Sequence, residues 1–132
     1  MDTTIKNRSN QELSVTVESP DKSIGLAFVM HGHSGNKQQK HIRTYIQSLL
    51  DSGYRVVSFN VFHTYDGSAD RTIENATASN YYSDLEDVIE WAKEQDWFQQ
   101  PFILAGHSLG SLCVAVYAEE HPELVKALAP TS

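Results

Sequence analysis

The chain has 132 residues, 40% of them hydrophobic, and a formal net charge of −7 from 10 Lys and Arg against 17 Asp and Glu. That apolar content suits one globular domain spanning residues 1–132 and excludes a disordered or fibrous chain, while the acidic balance and scattered basic residues argue against a nucleic-acid partner. The first twenty residues are mostly polar, without the apolar centre of a signal peptide, and no later run approaches membrane-spanning length, so a cytoplasmic protein is expected.

Residues 12–18 alternate Leu13, Val15 and Val17 with polar side chains, which predicts a half-exposed strand at a sheet edge. Pro20-Asp21 then turns the chain. Residues 24–30 are continuously apolar, as in a strand covered on both faces, and lead into a glycine-broken loop over 31–36. Ile42, Tyr45, Ile46, Leu49 and Leu50 draw one apolar stripe on a helix that stops at Gly53, and a strand over 54–61 follows.

A polar stretch over 63–80 carries the turn-like Asp66-Gly67-Ser68. Leu85, Val88, Ile89 and Ala92 mark a second amphipathic helix, and Ser83 with Glu86 fits a capping box that would start its regular part. Residues 102–105 read as a strand, and 109–120 as a helix with Leu112, Cys113, Val116 and Tyr117 at helical spacing. Cys113, the single cysteine, excludes an internal disulfide and reads as a buried structural thiol. Pro122 opens a connection to a last strand over 124–129. Alternating strands and helices imply an α/β fold: a doubly wound, mostly parallel sheet with helices on both faces and right-handed crossovers.

Between the strand over 102–105 and its helix stands Gly106-His107-Ser108-Leu109-Gly110. A G-x-S-x-G sequence in that context is a nucleophile elbow and nominates Ser108 as a catalytic serine, with Gly106 and Gly110 making room for a tight, strained turn. This turn and the 31–36 loop both fall at the carboxyl ends of strands, where doubly wound sheets bind ligands. His31-Gly32-His33 has the spacing of two metal ligands, but nothing in that loop completes a set, so neither metal nor cofactor is expected. His107 is expected to point away from the working side of Ser108, and His41, His63 and His121 read as surface or helix-end residues.

With the elbow and the His31-Gly32 loop placed, the chain resembles the amino-terminal half of an α/β-hydrolase, ending after the strand that follows the elbow helix. The stretch His31-Gly32-His33-Ser34-Gly35-Asn36, the Asp66-Gly67-Ser68 turn and Ala105-Gly106-His107-Ser108-Leu109-Gly110 look most like small esterases of the cinnamoyl/feruloyl esterase and monoglyceride-lipase-like branch. The resemblance implies a serine hydrolase that cleaves a small-molecule carboxylic ester or thioester through an acyl-enzyme on Ser108. It also implies backbone N–H donors for the oxyanion from Leu109 and His33, with Gly32 in the same loop and His31 bracing it by hydrogen bonding.

In this family a triad acid and histidine follow the nucleophile, and both would lie past Ser132. Two expectations follow: a fragment of a longer hydrolase, which the intact catalytic loops favour, or a non-catalytic binding or interaction module on the same scaffold. A third, that His63 substitutes for the missing base, has only its place at a strand end to support it. Residues 60–66, Asn-Val-Phe-His-Thr-Tyr-Asp, depart from the acidic and glycine-rich segment of relatives. The isolated chain is expected to be marginally stable or to self-associate through an exposed sheet edge.

Overall fold

The computed structural model describes residues 1–31, 37–62 and 78–131, with the backbone alone for 78, 130 and 131. The described elements are β1 (Asp2–Lys6), β2 (Glu12–Glu18), β3 (Gly25–Met30), α1 (Lys40–Asp51), β4 (Tyr54–Phe59), α2 (Ala78–Lys93), β5 (Phe102–His107), α3 (Leu109–Glu120) and β6 (Val125–Thr131). The strands form one sheet in the order β1-β2-β4-β3-β5-β6. From β4 through β3 and β5 to β6 the pairing is parallel, whereas β1 and β2 join antiparallel on the β4 side. No helix among the described residues is long and apolar enough to cross a membrane.

Every residue of β3 is buried, and the two faces of the strand explain why. Leu26, Phe28 and Met30 join the large cluster that includes Leu85, Val88 and Ile89 of α2 and Val114 and Tyr117 of α3. Val29 faces the opposite way and packs with Val56, Ala105 and the α1 residues Ile42 and Ile46. Side chains alternate along a strand, so a continuous apolar run is stable only when helices cover both faces. α1 ends where Gly53, at φ 96°, donates its N–H to Leu50 O at 3.0 Å, an αL cap of the kind glycine favours.

Some expectations shift. β2 is not the edge strand: β1 lies outside it, pairing Ile5 with Leu13 and Asp2 with Thr16. β1 escapes periodicity analysis because Ile5 is its single buried residue, the others being polar or threonine. The hairpin turn that makes it an edge is held by Asn7, whose Oδ1 accepts from Ser9 N at 3.0 Å and Gln11 N at 2.9 Å.

Ser83 and Glu86 do not cap α2, which already runs from Ala78. Fully buried Tyr81 extends the apolar stripe one turn before Leu85, and Glu86 pairs with Arg8 at 3.0 Å. On α3 the buried residues are Gly110, Cys113, Val114 and Tyr117, while Leu112 is 53% exposed. This helix is apolar around most of its circumference, so spacing alone does not identify the buried face. Smaller boundary changes end β4 at Phe59 and carry β5 on to His107.

The layer assignment gives a direct test. Ile46→Ala, in the α1 layer, should cost about 2–5 kcal/mol in denaturant unfolding. Ile24→Ala, at a position 66% exposed, should change stability by no more than about 0.5 kcal/mol.

Candidate active site

Ser108 is an exposed residue between β5 and α3, with φ 55° and ψ −118°. A residue with a Cβ rarely occupies positive φ, and holding it there costs about 1–3 kcal/mol unless the surroundings over-determine the backbone. They do so here. Upstream, β5 is pinned by register, with Gly106 opposite Met30 of β3 on one side and Pro130 of β6 on the other. Downstream, the Ser108 carbonyl accepts from Ser111 N at 3.0 Å and Leu112 N at 3.3 Å, so the helix starts immediately.

The glycines allow the two elements to close on each other. A Cβ on Gly106 would stand 2.5 Å from Gly110 O, and one on Gly110 would stand 2.5 Å from His31 O and 2.8 Å from Met30 O. All are backbone atoms that cannot swing aside, so the first turn of α3 rests directly on the exit of β3. Leu109 opens that turn, and its N–H belongs to the group of helix-start donors without an intrahelical acceptor. An oxyanion at Ser108 would therefore meet backbone N–H groups and the positive end of α3.

His31 is fully buried, and its Nε2 accepts the N–H of Val61 at 3.2 Å. That bond requires a neutral ring with the proton on Nδ1. The imidazole thereby links the end of β3 to the chain leaving β4, and its edge packs on Tyr81 of α2 at 5.6 Å between centroids. Adjacent groups reinforce the same place. Asn60 Oδ1 accepts from Lys37 N at 2.7 Å, Asn60 N donates to Ser14 O at 3.0 Å, and Phe62 N donates to Asp84 Oδ2 at 2.9 Å.

Thus Ser108, Leu109, Gly106, Gly110 and His31 are brought together at the ends of β3 and β5. Gly32, His33, His63 and the Asp66-Gly67-Ser68 turn lie outside the described residues. Asp84 and Asn60 were missed from sequence. Asp84 had a usable signal: an acidic residue one position before Leu85, on the buried face of α2 with Tyr81 and Val88, breaks the apolar stripe.

His107 turns towards α1, where its ring lies 4.3 Å from that of His41. His41 stands at the start of α1, half-buried, and its Nε2 is buried with no hydrogen-bond partner among the described residues. Burial, and secondly the facing His107, lower its basicity. Cys113 is buried, and burial pushes its thiol up to about 11, so it stays protonated at neutral pH.

Away from the elbow, Glu86, Glu120 and His121 offer ligand atoms within 4.8 Å of one another at the α2–α3 corner. These groups have partners in the protein. Glu86 pairs with Arg8, Glu120 accepts from the Tyr82 hydroxyl, and His121 packs on the Tyr117 ring.

Two outcomes are expected. Ser108→Gly should be about 1 kcal/mol more stable than Ser108→Ala in urea unfolding, because both delete the hydroxyl but only glycine relaxes the positive φ. For His41, the lowered folded value means that the unfolded chain binds more protons as pH drops through about 6.5, so stability falls with pH in that window. His41→Gln should flatten the decline of Tm between about pH 7 and pH 5.

No curated protein sequence matches this chain significantly. Among solved structures, Est1E from Butyrivibrio proteoclasticus with ferulic acid bound superposes with a TM-score of 0.84 at 23% identity, covering 96% of this chain and 50% of that one. The Pyrococcus furiosus esterase Pf2001 gives 0.79 at 22%, covering 98% and 51%. An alpha-beta serine hydrolase homologue from Coxiella burnetii gives 0.78 at 21%, covering 98% and 61%. The chain thus spans about half the length of the structures first matched. At such identities the likeness establishes the fold, and residues 28–131 match the family described as alpha/beta hydrolase fold: the chain belongs to the α/β-hydrolase fold family.

Proposed function

We propose that the protein acts as a serine hydrolase on carboxylic esters or thioesters, with Ser108 as its nucleophile. The observation that carries this is the conformation of Ser108: an exposed serine held at φ 55° by two glycine contacts that leave no room for a Cβ. Such strain adds nothing to the core, but it lifts the hydroxyl clear of the strand end and sets it beside the free N–H groups of a helix start.

In the proposed reaction Ser108 Oγ attacks the acyl carbonyl carbon while a base takes its proton. Negative charge gathers on the carbonyl oxygen, where the Leu109 N–H and an N–H following His31, assigned by resemblance to His33, would receive it. The alcohol or thiol then leaves with the proton from the base, and water releases the acyl group from Ser108. His31 is unsuited to the role of base, because its Nε2 already accepts from Val61. In the chain order of this fold the acid and histidine follow the nucleophile, so the activity is proposed for the whole protein. The Est1E complex with ferulic acid and the esterase Pf2001 support an ester substrate.

A fluorophosphonate probe applied to the full-length protein should label Ser108 and nothing else in the site. Ser108→Ala should abolish labelling and lower kcat/KM for a p-nitrophenyl ester by about three orders of magnitude or more. Labelling that survives Ser108→Ala would sink the assignment, and an unlabelled, inactive full-length protein would favour a binding module.

A further inference from the structure

Asp84 is a buried carboxylate that the hydrolytic scheme does not use. Its carboxylate sits on the buried face of α2, with the residue only 4% exposed. Burying a carboxylate is costly unless hydrogen bonds replace the lost water. One oxygen, Oδ1, accepts from Asn7 Nδ2 at 2.9 Å, and the other, Oδ2, accepts from Phe62 N at 2.9 Å. Asn7 cannot turn its amide over, because its Oδ1 already accepts from Ser9 N and Gln11 N. Asp84 is therefore an acceptor fixed between the β1–β2 turn and the exit of β4.

The next link is one residue away. Val61, adjacent to Phe62, gives its N–H to His31 Nε2 at 3.2 Å. The carbonyl of His31 is in turn the surface on which Gly110 rests, with space for no Cβ between them. Asp84, Phe62, Val61, His31 and Gly110 thus form an unbroken series of polar and backbone contacts from α2 to the first turn of α3.

We infer that Asp84 is a positioning residue for the serine turn: by holding Phe62 N–H it holds Val61 on His31, and so seats the first turn of α3 and its N–H groups at Ser108. The inference rests on the proposed role of Ser108. A displaced helix start would weaken stabilisation of the developing oxyanion more than it would weaken binding of the ester, so the effect belongs on kcat rather than KM.

The test compares the full-length wild type with Asp84→Asn and with the exchanged pair Asn7→Asp/Asp84→Asn. In the single variant the introduced amide can satisfy Phe62 N–H or Asn7 Nδ2, but not both. In the pair its oxygen takes the Phe62 N–H while its NH2 donates to the introduced carboxylate at position 7, and Gln11 turns its own amide. Asp84→Asn should lower kcat for a p-nitrophenyl ester, and fluorophosphonate labelling of Ser108, by about 10- to 100-fold with KM within about 3-fold.

The exchanged pair should bring kcat back to within about 3-fold of wild type. A folded Asp84→Asn with unchanged kcat overturns the inference, as does an exchanged pair that regains wild-type Tm but not kcat. Should Asp84→Asn fail to fold, the pair decides alone. A wild type that neither hydrolyses the ester nor takes the probe overturns the proposed function itself, and the role of Asp84 with it.

Discussion

The candidate site depends on a contact that contains almost no side chain. Gly106 and Gly110 bring the end of β5, the start of α3 and the exit of β3 within van der Waals reach, backbone against backbone. β3 is the strand that pairs with both β4 and β5, so whatever rests on its exit inherits the rigidity of the sheet centre. Strain at Ser108 is tolerated because both flanks are already committed: the strand by its ladder, the helix by its own hydrogen bonds. A methyl group at either glycine would reopen the joint and release the backbone that aims the serine.

Around this joint the protein buries several polar groups, and nearly all of them bind the sheet's layers together. Asn7, His31, Lys37 and Asp84 are all buried. Asn7 reaches from an edge hairpin to α2, His31 from β3 to the end of β4, and Lys37 Nζ to Ser14 Oγ of β2 at 2.8 Å. Burial lowers the basicity of Lys37, a cost offset by these contacts. The apolar layers supply cohesion without direction, whereas hydrogen bonds specify which atoms meet. The polar links are therefore what make the exit of β4 a defined support for the elbow.

Elements with dense, periodic apolar residues were legible from sequence. The β3 run, the α1 stripe from Ile42 to Leu50 and the strand–serine–helix unit around Ser108 all emerged near their observed positions, because burial on a fixed face imposes a period. β1 was not legible: one buried isoleucine among polar residues has no period, and it is a strand because β2 offers it a free edge. The start of α2 was misplaced for a similar reason. A local capping pattern at Ser83 competed with the burial of Tyr81 against the sheet, and burial prevailed.

The same division holds for the site. Ser108, Gly106, Gly110 and Leu109 are contiguous, so the local demand of a tight turn wrote them into one pentapeptide, and sequence alone determined the nucleophile candidate and the order of strand and helix around it. Asp84, Asn60 and Asn7 are separated by dozens of residues, and nothing local requires any of them to be what it is. Tertiary structure alone decided that Asp84 meets Phe62, that His31 meets Val61, and that the His41 ring packs against His107. Hydrogen bonds between distant segments carry no period and no spacing, because they exist only after the sheet has brought their donors and acceptors to the same strand ends.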